Sequence, residues 1–235
     1  EAKDFYFFDW NDLAIPESQG TFSVRVTLEL KGNSAQWSIN VKSSEELFEI
    51  EFPRLDGIGK LGENAFDDFA VIPDKSGVLL QDYSKIGTIR LIYAAGASMQ
   101  FFAFYDKNGG LYMATHDSAM LAKNYTLAHQ LDNSLNYQVS VTPGAYRNYQ
   151  QNFPFVMQFF KGDWFDAAQI YRNWAVQQSW CKESGLLAER KNPVTDSIHL
   201  WVKDNAISEE PYTYPIQTTA YIDHLTPEKR LKYSG

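Results

Sequence analysis

The residues that could do chemistry in this chain include four histidines, adjacent carboxylate pairs and a few polar groups near strand ends. His116 and His129 fall on different predicted strands and could converge on one face. An imidazole and a carboxylate placed so could act as acid and base across a sugar ring oxygen and anomeric hydroxyl. His199 and His224 lie further along. Two of the acidic pairs, Asp67-Asp68 and Glu45-Glu46, read as loops. Hydrolysis of a glycoside needs two facing carboxylates roughly 5–10 Å apart. Neighbours on a strand point to opposite faces, so adjacency does not supply that pair, and these read as solvated charge. His116-Asp117 ends a strand that follows a tight hairpin, and Arg54-Leu55-Asp56-Gly57 leaves another. Such positions read as ligand contacts or as turn chemistry, with Asp capping a bend and Arg pairing with it. Tyr83, Tyr146 and Tyr149, expected in turns and loops, could stack on the C–H faces of a sugar.

Other motifs are missing. Gly57-Ile58-Gly59-Lys60 lacks the spacing and the following hydroxyl residue of a phosphate loop. No Gly-x-Ser-x-Gly elbow occurs. Cys181 is the single cysteine, so no internal disulfide forms, and no Cys/His zinc spacing is present. Neither a metal nor a cofactor is expected. Asn124-Tyr125-Thr126 has the form of a glycosylation sequon and reads as a chance occurrence.

The elements that must position these groups are mostly strands. Phe22, Val24, Val26, Leu28 and Leu30 share one face; Ser23, Arg25, Thr27 and Glu29 share the other. That alternation predicts a half-buried antiparallel strand. Lys31-Gly32-Asn33 turns it into a return strand with Trp37, Ile39 and Val41 inward. Phe48, Ile50 and Phe52 predict a third strand, which Pro53 is expected to end. Residues 54–87 read as irregular, with short strands near 69–72 and 78–80. Further strands are expected at Thr88–Tyr93, Met99–Tyr105, Leu111–His116, Tyr125–Leu131, Leu135–Val141 and Phe153–Phe160. Met99–Tyr105 is apolar on both faces, which predicts a central strand covered on both sides. The period then changes. Asp163 can cap a helix over 163–178, and Asp166 places negative charge at its positive end. Tyr171 and Trp174 form a packing face there rather than a ligand cage. Ser197–Val202 reads as one more strand, and 205–235 as an irregular tail.

The chain has 235 residues, 36 of them aromatic, with a net charge of −8. That balance, without a basic stripe, argues against a nucleic-acid partner. No apolar run approaches the roughly 20 residues needed to span a bilayer. Many antiparallel strands with one-sided alternation imply two sheets packed face to face.

Three segments, taken together, resemble a known family. They are Pro53-Arg-Leu-Asp-Gly-Ile-Gly-Lys-Leu-Gly62, the hairpin Met99 to Asp117, and Gly162-Asp-Trp-Phe-Asp-Ala-Ala-Gln-Ile-Tyr-Arg-Asn-Trp-Ala175 followed by Trp180 and Gly185-Leu186. They resemble the front of large, mostly uncharacterised glycoside-hydrolase-like proteins, similar to the α-galactosidase and endo-α-N-acetylgalactosaminidase type. The resemblance implies a mainly β fold, a galactose-mutarotase-like supersandwich of two antiparallel sheets over 1–161. It then implies a linking helix and first barrel strand over 162–204, with the tail at 205–235. The catalytic carboxylates of such enzymes would lie on later barrel strands, so no catalytic residue is carried over. A (β/α)₈ barrel takes about 250 residues by itself, and this length cannot hold both parts. The expected role is a non-catalytic, carbohydrate-associated domain whose partners are a glycan and a (β/α)₈ catalytic domain. An extracellular or periplasmic location follows from the resemblance alone. The carbohydrate-binding candidates are Arg54, Asp56, His116, Asp117, Tyr146 and Tyr149. The alternatives are a stand-alone carbohydrate-binding module, an aldose epimerase acting through His116 or His129, and a purely structural domain.

Overall fold

The computed structural model describes residues 4–14, 18–58, 67–81, 87–131, 134–144 and 146–182. The chain divides into two compact units, Glu1–Val176 and Gln177–Gly235. Of the second, the described part holds a short helix, α2 (Ser179–Lys182), with Cys181 within it. The expected strand at Ser197–Val202, Tyr83, His199, His224 and the 205–235 tail lie outside the described residues.

The first unit is a two-sheet antiparallel sandwich. Sheet A runs β1 (Asp4–Ala14), β2 (Thr21–Lys31), β3 (Ser34–Leu47), β13 (Phe155–Phe160), β9 (Gly109–Thr115), β8 (Phe101–Asp106), β5 (Phe69–Ile72) and β6 (Val78–Gln81). β12 (Tyr146–Gln150) pairs separately with β3. Sheet B runs β4 (Ile50–Ile58), β11 (Leu135–Val141), β10 (Lys123–His129) and β7 (Thr88–Tyr93).

Both sheets feed one core. Ala70, Ile72, Phe102, Phe104, Met113 and Phe155 come from sheet A; Leu91, Tyr93, Tyr125, Leu127, Tyr137 and Val139 come from sheet B. The Phe102 ring sits 5.2 Å from that of Tyr125 and 5.1 Å from that of Tyr137. Burial of such rings supplies about 1.5–3 kcal/mol each. Every residue of β8 is buried, as its two-faced apolar run predicts. One face meets sheet B. The other, with Phe101 and Ala103, meets the helix α1 (Trp164–Ala175) through Ala167 and Tyr171.

That helix starts as the sequence indicates. The Asp163 carboxylate accepts from the Phe165 amide at 2.8 Å, and the Asp166 carboxylate accepts from the Asp163 amide at 3.0 Å. Together they satisfy amides that the first helical turn leaves unpaired. The chain enters through Gly162 at φ 111, where an added Cβ would collide with the Asp166 side chain. The helix ends at Ala175 rather than Gln178, with Val176 as its C-cap.

Four expectations need correction. Pro53 does not end its strand: β4 runs on to Ile58. It is an edge strand, and the ladder with β11 shifts register between Glu51 and Arg54. Proline is tolerated at such a place because no ladder amide is lost. Residues 54–58 are therefore strand, not irregular chain. Glu45 and Glu46 lie in β3, not in a loop. Tyr146 and Tyr149 lie in β12, not in turns. β1 adds a strand where no alternation signals one: all eleven of its residues are exposed.

Candidate functional site

β9 ends at Thr115 and releases His116 and Asp117. Their side chains enter two different packed environments. His116 turns to the helix side of sheet A. Its ring stacks on Trp174 at 4.6 Å with 10° between planes, and its Nε2 lies 2.9 Å from the Tyr112 hydroxyl. Burial pushes the imidazole down to about 4, because desolvation disfavours the charged ring. At neutral pH it is uncharged.

Asp117 is buried in a polar knot. Its Oδ1 accepts from the Ala119 amide at 2.9 Å; its Oδ2 accepts from the Leu121 amide at 2.9 Å and from Lys123 Nζ at 2.8 Å. Lys123 also donates to the Leu121 carbonyl at 2.7 Å and to Gln100 Oε1 at 3.2 Å. The rings of Tyr93 and Phe153 lie 5.0 and 4.9 Å from its ammonium. Burial lowers the Lys123 pKa, and Asp117 opposes that shift. Gln100 Oε1 also accepts from the Thr115 hydroxyl, which lies 2.6 Å from that of Tyr125. The knot joins β9, β10 and the segment before β8. It holds the sandwich together; its donors and acceptors are spent on one another.

The remaining candidates lie elsewhere. Arg54 and Asp56 are neighbours on one face of β4, with Arg54 Nε 3.1 Å from Asp56 Oδ2. Arg54 also approaches Glu51 at 3.9 Å, and all three are exposed. Tyr146 is 67% exposed on β12. Tyr149 packs half-buried against the cluster of Phe22, Ile39, Val41, Leu47 and Ile50, and burial pushes its hydroxyl up to about 12. The structure thus pairs Arg54 with Asp56, sends the side chains of the adjacent His116 and Asp117 into different surroundings, and gathers no common site from the six. His116 and His129 do not converge: His116 meets α1 on the outer side of sheet A, whereas His129 ends β10 in sheet B. Among the described residues, no three of the types His, Cys, Asp and Glu come together as a metal site. No helix there is long and apolar enough to cross a membrane.

One polar cluster escaped the sequence reading. On the outer face of sheet A, Asp9 pairs in register with Arg25, and Arg25 with Asn40. Arg25 Nε and Nη2 grip the two Asp9 oxygens at 2.6 and 3.0 Å. The polar alternation of β2 and β3 pointed to this face. Nothing in the sequence shows that β1 completes it.

The comparisons bear on this architecture. Residues 149–226, about a third of the chain, match the family model described as a domain of unknown function, DUF6259. No curated protein matches the sequence. Among solved structures, the α-N-acetylgalactosaminidase NagBb from Bifidobacterium bifidum, in its GalNAc complex, aligns over 90% of this chain with a TM-score of 0.54 and 13% identity. This chain spans 38% of the length of that enzyme. The Slr1438 protein from Synechocystis aligns over 68% of this chain and 62% of its own length, with a TM-score of 0.40 and 13% identity. The GH36 α-galactosidase AgaA from Geobacillus stearothermophilus covers 68% of this chain and 29% of its own, with a TM-score of 0.38 and 11% identity. At such identities the NagBb alignment shows a shared fold: this sandwich has the fold of a part of a glycoside hydrolase.

Proposed function

We propose that this chain is a carbohydrate-associated β-sandwich domain of a glycoside-hydrolase-like protein, one that supports or extends a glycan-binding surface and carries no hydrolytic centre. The observation behind the reading is the fold shared with NagBb over 90% of this chain. Among the described residues, two of the three buried carboxylates, Asp117 and Asp106, are committed to internal partners. Asp117 is held by two amides and an ammonium. Asp106 is held by the Asn108 amide and side chain and by the Gly109 amide. Each of these two is engaged by internal donors through both oxygens, whereas an acid or nucleophile must turn one towards the glycosidic bond. Of the six candidates, Arg54, Asp56 and Tyr146 lie at the surface where a glycan could reach them. His116, Asp117 and Tyr149 act in packing.

The test is a glycan array that includes galactose- and N-acetylgalactosamine-terminated chains, run beside nitrophenyl glycoside assays on the purified 235-residue chain. Retention of at least one glycan class with no turnover above buffer is expected. Turnover, or retention of no glycan at all, overturns the reading.

A further inference from the structure

The outer face of sheet A is covered by α1 only over β8, β9 and β13. Over β1, β2 and β3 no described element covers it. Asp9, Arg25 and Asn40 form one cross-strand row there, and Ser23 and Lys42 sit in the next. Between Trp10 and Leu13, β1 carries two residues against one on β2. Asp12 accommodates this bulge at φ 53, a conformation that Asp tolerates better than most residues. A bulge re-aims side chains, and here it adds Asn11 to the group. Asp9, Asn11, Ser23, Arg25, Asn40 and Lys42 line a cleft of about 220 Å³. That is below the roughly 300–1,000 Å³ typical of sites for drug-sized ligands, and of a size for one compact ring.

The groups in the cleft differ from those of an ordinary salt-bridged surface. The bidentate Asp9–Arg25 pair fixes two charged groups in one plane, with the Arg25 guanidinium carbon 5.8 Å from the Phe7 ring centroid. Arg25 keeps further N–H donors, and the Asp9 oxygens keep further lone pairs. The side chains of Asn11, Ser23, Asn40 and Lys42 make no hydrogen bond or ion pair among the described residues. Both donors and acceptors are thus available, some of them pre-organised. Phe7, 60% exposed, and Phe5, 50% exposed, stand on the same face beside them. Vicinal hydroxyls that donate and accept at once need this mixture. A polyanion fits poorly: Arg25 keeps the Asp9 carboxylate ionised, and the chain carries a net charge of −8, which repels it.

We infer that the β1–β3 cleft is a saccharide subsite, binding one pyranose unit of a glycan through its hydroxyls. This rests on the carbohydrate-associated reading above and names its site. The test uses an array of immobilised neutral and uronic-acid-containing oligosaccharides. Wild-type chain is compared with Asn40→Ala, Lys42→Ala and the double variant, each checked for unchanged thermal unfolding. Asn40 is half-buried and Lys42 exposed, and neither side chain has a hydrogen-bond or ion-pair partner among the described residues, so unchanged unfolding is expected. At least a tenfold loss of affinity is expected in the double variant. Arg25→Lys, which keeps the charge but not the bidentate fork, is expected to weaken binding too. If wild type binds a glycan and the double variant binds it equally well, the subsite is refuted while the domain reading stands. If wild type binds none, both fall.

Discussion

His116 makes the stability of the sandwich depend on pH in a defined window. Its imidazole titrates near the ordinary 6.5 in the unfolded chain and at about 4 in the folded one. A base with a lowered folded pKa binds its proton more readily when unfolded. Stability from this residue is therefore complete above pH 6.5, falls as the pH drops through the window, and stops falling below about pH 4. At about 1.4 kcal/mol per pH unit, the loss reaches about 3 kcal/mol. That is a large fraction of the roughly 5–15 kcal/mol available to a domain. The cause is local: a charged ring would sit poorly solvated between Tyr112 and Trp174. Carboxylates titrate over the same range, so the contribution must be isolated by difference. His116→Phe keeps a ring against Trp174 and removes the titration. It leaves the Tyr112 hydroxyl unpaired, a cost of about 1–3 kcal/mol that does not vary with acidity in this range. Urea unfolding followed by tryptophan fluorescence, near pH 7 and near pH 4, gives the four free energies. Wild type is expected to lose about 3 kcal/mol more than His116→Phe between the two conditions. Equal losses would refute the account of His116 as a partly buried neutral latch between β9 and α1.

Two other perturbations follow from the packing. Asp117→Ala strands the Lys123 ammonium, which is fully buried, and unpairs the Ala119 and Leu121 amides. A destabilisation of about 3–5 kcal/mol is expected in chemical denaturation, and a loss below 1 kcal/mol would show that the knot is wetter than drawn. Gly110→Ala places a Cβ 2.6 Å from the Phe104 carbonyl oxygen and from the Phe160 ring. The β8–β9 hairpin must shift, so a clearly lowered melting temperature or insoluble expression is expected, and an unchanged melting temperature would contradict that contact.

Much of this architecture could be read from the sequence because it is local. The β2 alternation from Phe22 to Leu30, the two-faced apolar run of β8 and the Asp163 cap each depend on residues within one turn or one strand. Asp117 shows where local reading stops. Turn chemistry was legible, since its carboxylate does accept amides two and four residues on. Its partnership with Lys123, and that of Lys123 with Gln100 on another segment, is set only by the tertiary fold. Pro53 misled for a related reason. A proline ends a central strand, but whether a strand is central or at an edge is decided by its neighbours. β1 is the extreme case. Phe5, Tyr6, Phe7, Phe8 and Trp10 show no alternation, and no described element covers either side of the strand.

The outer face of sheet A changes character across its strands, not along them. The register sets Val156 of β13 beside Gln36 of β3, and Gln36 beside Glu29 of β2. On the Val156 side the face continues through Ala114 to Phe101 and is sealed by α1. On the Glu29 side it continues through Thr27, Arg25, Ser38 and Asn40, and no described element seals it. Each strand alone reads as half-buried, with one apolar and one polar face. Only the order of the strands shows that the same surface is core at one end and hydrogen-bonding groups at the other. An apolar partner could not cover the polar end without leaving Arg25, Asn40 and Lys42 unsatisfied, at about 1–3 kcal/mol for each buried group. Whatever occupies that end must offer hydroxyls or similar groups in return, which water does and a saccharide does with fewer molecules to order.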